Sequence, residues 1–125
     1  MTGAELLETY PKVADAIKEF YYRKMIDSLQ EDNNIPEEFK DMVKAKQFDN
    51  EYFATFIDNN PRFLFDIFDE NGIYITTPVA ASDGYFRWEI HSEAEVYETS
   101  EYLNNRKLAE TAAIEEAFKI LNEQL

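Results

Sequence analysis

His91 is the only imidazole in the chain, and there is no thiol. Nucleophilic catalysis needs a nucleophile, a base and a group that orients the base, so such an apparatus would have to run through His91. The alternation of Tyr85-Phe86-Arg87-Trp88-Glu89-Ile90-His91 places it late in a strand, on the polar side, where it reads as a surface histidine. The same counts exclude a disulfide scaffold, thiolate metal sites, and any triad or metal centre that needs two histidines. No Gly-x-Ser-x-Gly elbow, phosphate-cradling glycine loop or dinucleotide fingerprint occurs among 3 glycines. We therefore assign no catalytic residue and expect no cofactor.

Carboxylates are the other chemistry-bearing groups. Asp66, Asp69 and Glu70 stand at i, i+3 and i+4, a spacing that brings side chains together on one helical stripe. Oxygen-rich stripes suit Mg²⁺ or Ca²⁺, but the segment Phe65–Gly72 lacks the alternating ligands of a calcium loop. The expectation is a solvated stripe without metal, with Arg62 pairing Asp66 four residues on.

A second group is denser. From Glu89 to Glu101 there are five glutamates and no Lys or Arg. Alternate side chains of a strand share a face and stand roughly 6.6 Å apart, comparable with successive phosphates of a nucleic-acid strand. Glu93, Glu95, Glu98 and Glu101 are thus expected to present a row of negative charge, with Tyr97 and Tyr102 as anchors that bury apolar area while keeping a hydroxyl. Two readings stand. The glutamates keep an exposed sheet edge soluble and block edge-to-edge pairing, or they dock on a basic surface of another protein, where complementary fields speed binding and make it salt-sensitive.

The elements that must position these residues follow from periodicity. Ala4 to Tyr10 is a short helical turn. Pro11 to Leu29 is a helix with Thr9 near its N-cap and an i+4 ridge of Val13, Ile17, Tyr21, Met25 and Leu29 beside Phe20. A polar connector, 31–34, leads to a helix from Pro36 to about Gln47. Asp49 caps a third helix carrying Phe53, Phe56 and Ile57, and Asn60-Pro61 is a stop-and-restart signal. The next helix, Pro61 to Asn71, carries apolar Phe63, Leu64, Phe65, Ile67 and Phe68 around well over half of its circumference, and Gly72 fits a left-handed cap. The period then turns to two: strands are expected at 73–77, 85–91 and 95–99, with Pro78 marking an edge or end and Asp83-Gly84 a turn. A helix from Asn105 to Asn122 closes the chain. The fold class is α+β: an N-terminal helical layer, 1–60, and an α-β-β-β-α unit, 61–125, in one domain, its three-stranded antiparallel meander covered by the final helix.

Two resemblances bear on function. Arg106-Lys107-Leu108-Ala109, opening an alanine-rich helix after three strands, resembles the last helix of double-stranded-RNA-binding domains. That likeness implies phosphate contacts by Arg106 and Lys107. Net charge opposes it: 12 − 26 gives −14, and phosphate binding draws its free energy from neutralising cations. The opening Leu7-Glu8-Thr9-Tyr10-Pro11-Lys12, the centre Asn60-Pro61-Arg62-Phe63-Leu64-Phe65-Asp66 and the alanine-rich end look like small accessory proteins of gut tailed bacteriophages. This implies a viral accessory or virion-associated protein acting inside the bacterium.

Charge leans toward the C-terminal half. Residues 1–62 carry 8 − 13, net −5, and residues 63–125 carry 4 − 13, net −9. No apolar run approaches the roughly 18 residues needed to cross a bilayer, and the first residues lack the basic start of a signal peptide, so a cytoplasmic setting is expected. The function expected is that of a non-enzymatic acidic interaction protein whose partner is a basic, nucleic-acid-handling or defence protein of the host. The alternatives are a structural or homo-oligomeric protein using exposed aromatic surface, and a divergent double-stranded-RNA-binding-like domain.

Overall fold

The computed structural model describes residues 1–29, 34–79, 84–93, 95–99 and 102–125. Its fold is α+β: six helices and one three-stranded antiparallel sheet among these residues. The chain forms two compact units, Met1–Asn60 and Pro61–Leu125. No helix among the described residues is long and apolar enough to cross a membrane.

The first unit is helical: α1 (Gly3–Thr9), α2 (Pro11–Leu29), α3 (Glu37–Lys44) and α4 (Asn50–Asn59). Thr2 caps α1 in a reciprocal box with Glu5. Thr9 is the last residue of α1 and not a cap for α2; the Tyr10 carbonyl takes up the Ala14 N–H at 3.0 Å, so the chain turns from helix to helix without a separate cap. The predicted α2 ridge packs inward at Val13, Ile17, Tyr21 and Leu29, while Met25 is half-buried. Asp49 caps α4 as expected, accepting from the Tyr52 N–H at 2.9 Å.

Aromatic rings fill the space between α2 and α4. Tyr21 stands edge-on to Phe53 and Phe56, and Phe48 stacks on Tyr52 at 4.2 Å. The Tyr21 and Tyr52 hydroxyls pair at 2.5 Å, and the Tyr22 hydroxyl accepts from the Phe48 N–H at 3.1 Å, so buried phenols keep a partner. Burial and the Tyr52 hydrogen bond push the Tyr21 hydroxyl well above its ordinary value of 10.0. An unfolded chain ionises tyrosine near pH 10, where folded Tyr21 still holds its proton. The stability linked to it is therefore complete below about pH 10 and lost as pH climbs beyond. Urea midpoints are expected to hold steady to about pH 9 and then fall, less steeply in Tyr21→Phe; an equal fall in both proteins refutes the assignment.

α3 ends three residues sooner than its periodicity suggests. The Lys46 N–H bonds the Val43 carbonyl and the Gln47 N–H bonds the Met42 carbonyl, a six-residue closure that requires left-handed backbone at Lys46, φ +53. A side chain with Cβ is strained there. Lys46→Gly is expected to raise stability by about 0.5–1 kcal/mol, read as a higher urea midpoint at unchanged slope.

In the second unit α5 (Pro61–Glu70) precedes β1 (Tyr74–Thr76), β2 (Glu89–His91), β3 (Val96–Glu98) and α6 (Arg106–Gln124). The sheet order is β1-β2-β3. α5 closes as predicted: Gly72, φ +75, sends its N–H to the Asp69 carbonyl, and the Ile73 N–H reaches Phe68 at 2.8 Å. α5 is less enclosed than its composition suggests. Leu64, Ile67 and Phe68 are buried, whereas Phe63 and Phe65 are half-buried and Phe65 lies under the Arg62 guanidinium at 5.3 Å.

α6 packs on α5, β1 and β2, and its Ala109, Ala113, Ala117 and Phe118 are fully buried. Small alanines let the helix approach the sheet around Ile90. Asn105 caps α6, accepting from the Leu108 N–H at 2.8 Å.

The strands are shorter than their sequence signatures. Pro78 accepts from the Arg87 N–H at 3.1 Å but has no N–H to return, which interrupts the β1–β2 ladder. On the other side, Trp88 pairs with Thr99 but Phe86 pairs with Leu103, so two extra residues intervene and regular pairing stops. Gly84 has φ +68; Asp83, its expected turn partner, and most of the 31–34 connector lie outside the described residues.

Candidate functional site

Of the predicted acidic residues, Glu93, Glu95 and Glu98 lie in or beside β3, an outer strand of the sheet. The connection before it is held by Ser92, whose N–H donates to the Glu95 carbonyl at 2.9 Å and whose hydroxyl accepts from the Glu95 N–H at 3.3 Å. Glu93 sits exposed in this turn. It also lines an open hollow of about 500 Å³ with Asp69, Glu70, Tyr74 and Gln124.

Register decides which carboxylates share a face. Glu89 lies opposite Glu98, Ile90 opposite Tyr97, and His91 opposite Val96. Directly opposed residues point to the same side of a sheet, and neighbours along a strand alternate. Glu89, His91, Val96 and Glu98 therefore share the open face, extended across β1 by Tyr74 and Thr76. Ile90 and Tyr97 belong to the side that α6 covers, and Glu95 has the same parity as Tyr97.

Opposed glutamates repel, and Arg87 resolves the conflict. Its guanidinium reaches Glu89 at 2.7 Å and Glu98 at 3.4 Å. The second Glu89 oxygen lies 3.2 Å from His91 Nε2. A chain Glu98–Arg87–Glu89–His91 thus crosses the open face, and the strand parity read from sequence for Arg87, Glu89 and His91 holds. Glu89 and His91 supply the orienting and basic parts of a relay. Among the described residues Glu89 is the one hydrogen-bond partner of the His91 ring, and no hydroxyl is joined to it.

On the covered side, Tyr97 is a half-buried residue whose hydroxyl is held above its ordinary value, first by loss of water, then by the charge of Glu95, which also lies in hydrogen-bonding reach, and then by Glu123 and Glu116 of α6. The charges of Glu116 and Glu123 therefore act on this hydroxyl from α6, more weakly than that of Glu95 beside it. The only Lys or Arg after Lys107 in the sequence is Lys119, exposed on α6.

The expected row of negative charge is therefore divided. Glu93 occupies the turn, Glu95 and Tyr97 lie on the helix side, and Glu98 lies on the open side beside Arg87. The cause is parity: Glu98 stands three positions after Glu95, an odd step that changes face. Tyr102 is 59% exposed beyond β3; Glu101 lies outside the described residues. Sequence reading missed Glu116 and Glu123, although their seven-residue spacing on α6 puts them two turns apart on one stripe.

The other carboxylates behave differently. Asp66, Asp69 and Glu70 are exposed, and Arg62 reaches Glu110 of α6 at 3.9 Å instead of pairing with Asp66. α5 and α6 pack together, so a carboxylate on the neighbouring helix competes with the one four residues along. Among the described residues, no three acidic or histidine side chains are close enough to hold a metal ion. Arg106 and Lys107 are exposed in the first turn of α6, with the Arg106 guanidinium 5.1 Å from the centre of the Phe86 ring. No family model, curated protein or solved structure matches this chain.

Proposed function

We propose that the chain is a non-enzymatic acidic interaction protein that docks the β3 border of its second unit on a basic surface of another protein. The observation that supports this best is the set of exposed carboxylates at and beside β3, Glu93, Glu95 and Glu98, while Arg87, the nearby cation, is engaged by Glu89 and Glu98. The unit as a whole carries 5 − 13, net −8. Such a field attracts a basic cleft and repels nucleic acid, which weighs against direct RNA binding. With the phage resemblance as guide to its setting, the partner is a nucleic-acid-handling or defence protein of the bacterial host, met in the cytoplasm.

Capture from bacterial lysate at graded salt tests the proposal. Bound protein is expected to elute as salt rises, to be displaced by heparin, and to be lost, at least tenfold, in Glu95→Lys with Glu98→Lys. Binding indifferent to salt and to charge reversal overturns it. A second reading, self-association, draws on Tyr74, Val96 and Tyr102, which are more than half exposed. An oligomer that persists in light scattering at high salt favours that reading over a charge-driven contact.

A further inference from the structure

We propose that the partner enters as an extended cationic segment that adds to the sheet as a fourth strand along β3. This deepens, and rests on, the reading of the chain as an acidic interaction protein.

The ladder shows which backbone groups are available. Ser92 donates to Glu95, and Thr99 donates to Trp88. With Ile90 opposite Tyr97, hydrogen-bonded pairs fall at Trp88–Thr99, Ile90–Tyr97 and Ser92–Glu95. In an antiparallel pair these alternate with pairs whose backbone groups turn outward. Val96 and Glu98 are the outward residues, so their N–H and C=O groups line the outer edge. Among the described residues no strand pairs with β3 there. α6 packs on β1 and β2, and Val96 is 59% exposed.

Charge selects the occupant. An added strand would lie about 4.8 Å from β3, with side chains alternating between the two faces. On the helix side they would meet the exposed Glu95; on the open side they would meet Glu98 and, beside it, the apolar Val96. Lys or Arg thus fits positions on both faces, with an aliphatic residue next to Val96. A second copy of β3 fits poorly, because its glutamates would approach those already present, and like charges across a strand pair destabilise it.

The probe is a synthetic octapeptide of seven lysines and one central valine, titrated into the full chain, beside the same peptide N-methylated at alternate residues. Methylation keeps the charge and removes backbone donors on one edge. Wild-type protein is expected to bind the unmethylated peptide at least tenfold more tightly, with slowed amide exchange at Val96 and Glu98. Val96→Pro removes one outward N–H at an edge position where proline is tolerated and is expected to weaken binding similarly. Equal affinity for both peptides, or no binding, overturns strand addition. Lysate capture that is lost on charge reversal but unchanged in Val96→Pro leaves the acidic-contact reading intact and removes only this one. Binding that ignores salt while requiring Val96 N–H removes the charge argument instead. A dimer that Val96→Pro dissolves makes a second copy the occupant and also overturns the proposal.

Discussion

Phe68→Ala is expected to lower the stability of the second unit by about 3–5 kcal/mol, the cost of emptying a large aromatic site in a core that cannot fully collapse. Phe68 has no exposed surface, and its ring meets that of Phe118 edge-on at 5.7 Å. Its carbonyl also receives the Ile73 N–H that closes α5 and starts the chain toward β1. The side chain thus joins α5 to the helix that covers the sheet. Domains are stable by only about 5–15 kcal/mol, so this loss is a large fraction of the total. The sole tryptophan, Trp88, lies in this unit, and its fluorescence during urea unfolding provides the measurement. Phe68→Leu, which restores most of the volume, is expected to recover part of the loss. A midpoint unchanged in Phe68→Ala would show that the ring contributes no packing energy.

Gly3→Ala is expected to cost about 1–3 kcal/mol in the first unit, for the opposite reason. A Cβ at Gly3 would stand 2.7 Å from the Ala54 carbonyl oxygen, 2.8 Å from Asp58 Oδ1 and 3.0 Å from Ile57. The carbonyl belongs to the α4 backbone and cannot rotate away. Gly3 also donates its N–H to Asp58 at 2.9 Å, so any shift that relieves the clash lengthens this bond. Ala is ordinarily the better helix former by about 1 kcal/mol, so helix propensity and packing predict opposite signs. Circular dichroism during urea unfolding distinguishes them: a lower midpoint supports close packing of α1 on α4, and a higher one refutes it.

The helices were the most legible part of the molecule. Pro11 and the i+4 ridge from Val13 to Leu29 give α2 its observed ends; Asp49 and Asn60-Pro61 bound α4, and Gly72 closes α5. These signals act within one or two turns of chain, so neighbouring residues suffice to set them. Strand ends were less legible. Phe86 has the pattern of a regular strand residue, yet whether its ladder continues depends on Pro78 and Leu103, residues far along the chain.

The same distinction governs the site. The amino-acid order by itself determined the absence of thiols, the surplus of carboxylates after Glu89, and the alternation that puts Arg87, Glu89 and His91 on one side. Only the tertiary structure decided that Glu98 shares Arg87 with Glu89, that Glu95 turns to the opposite face, and that the charges of Glu116 and Glu123 act on Tyr97 from α6. Charge and local periodicity are properties of neighbouring residues, whereas electrostatic partnership depends on distance through space. That distance exists only once register and helix packing have brought separate segments together.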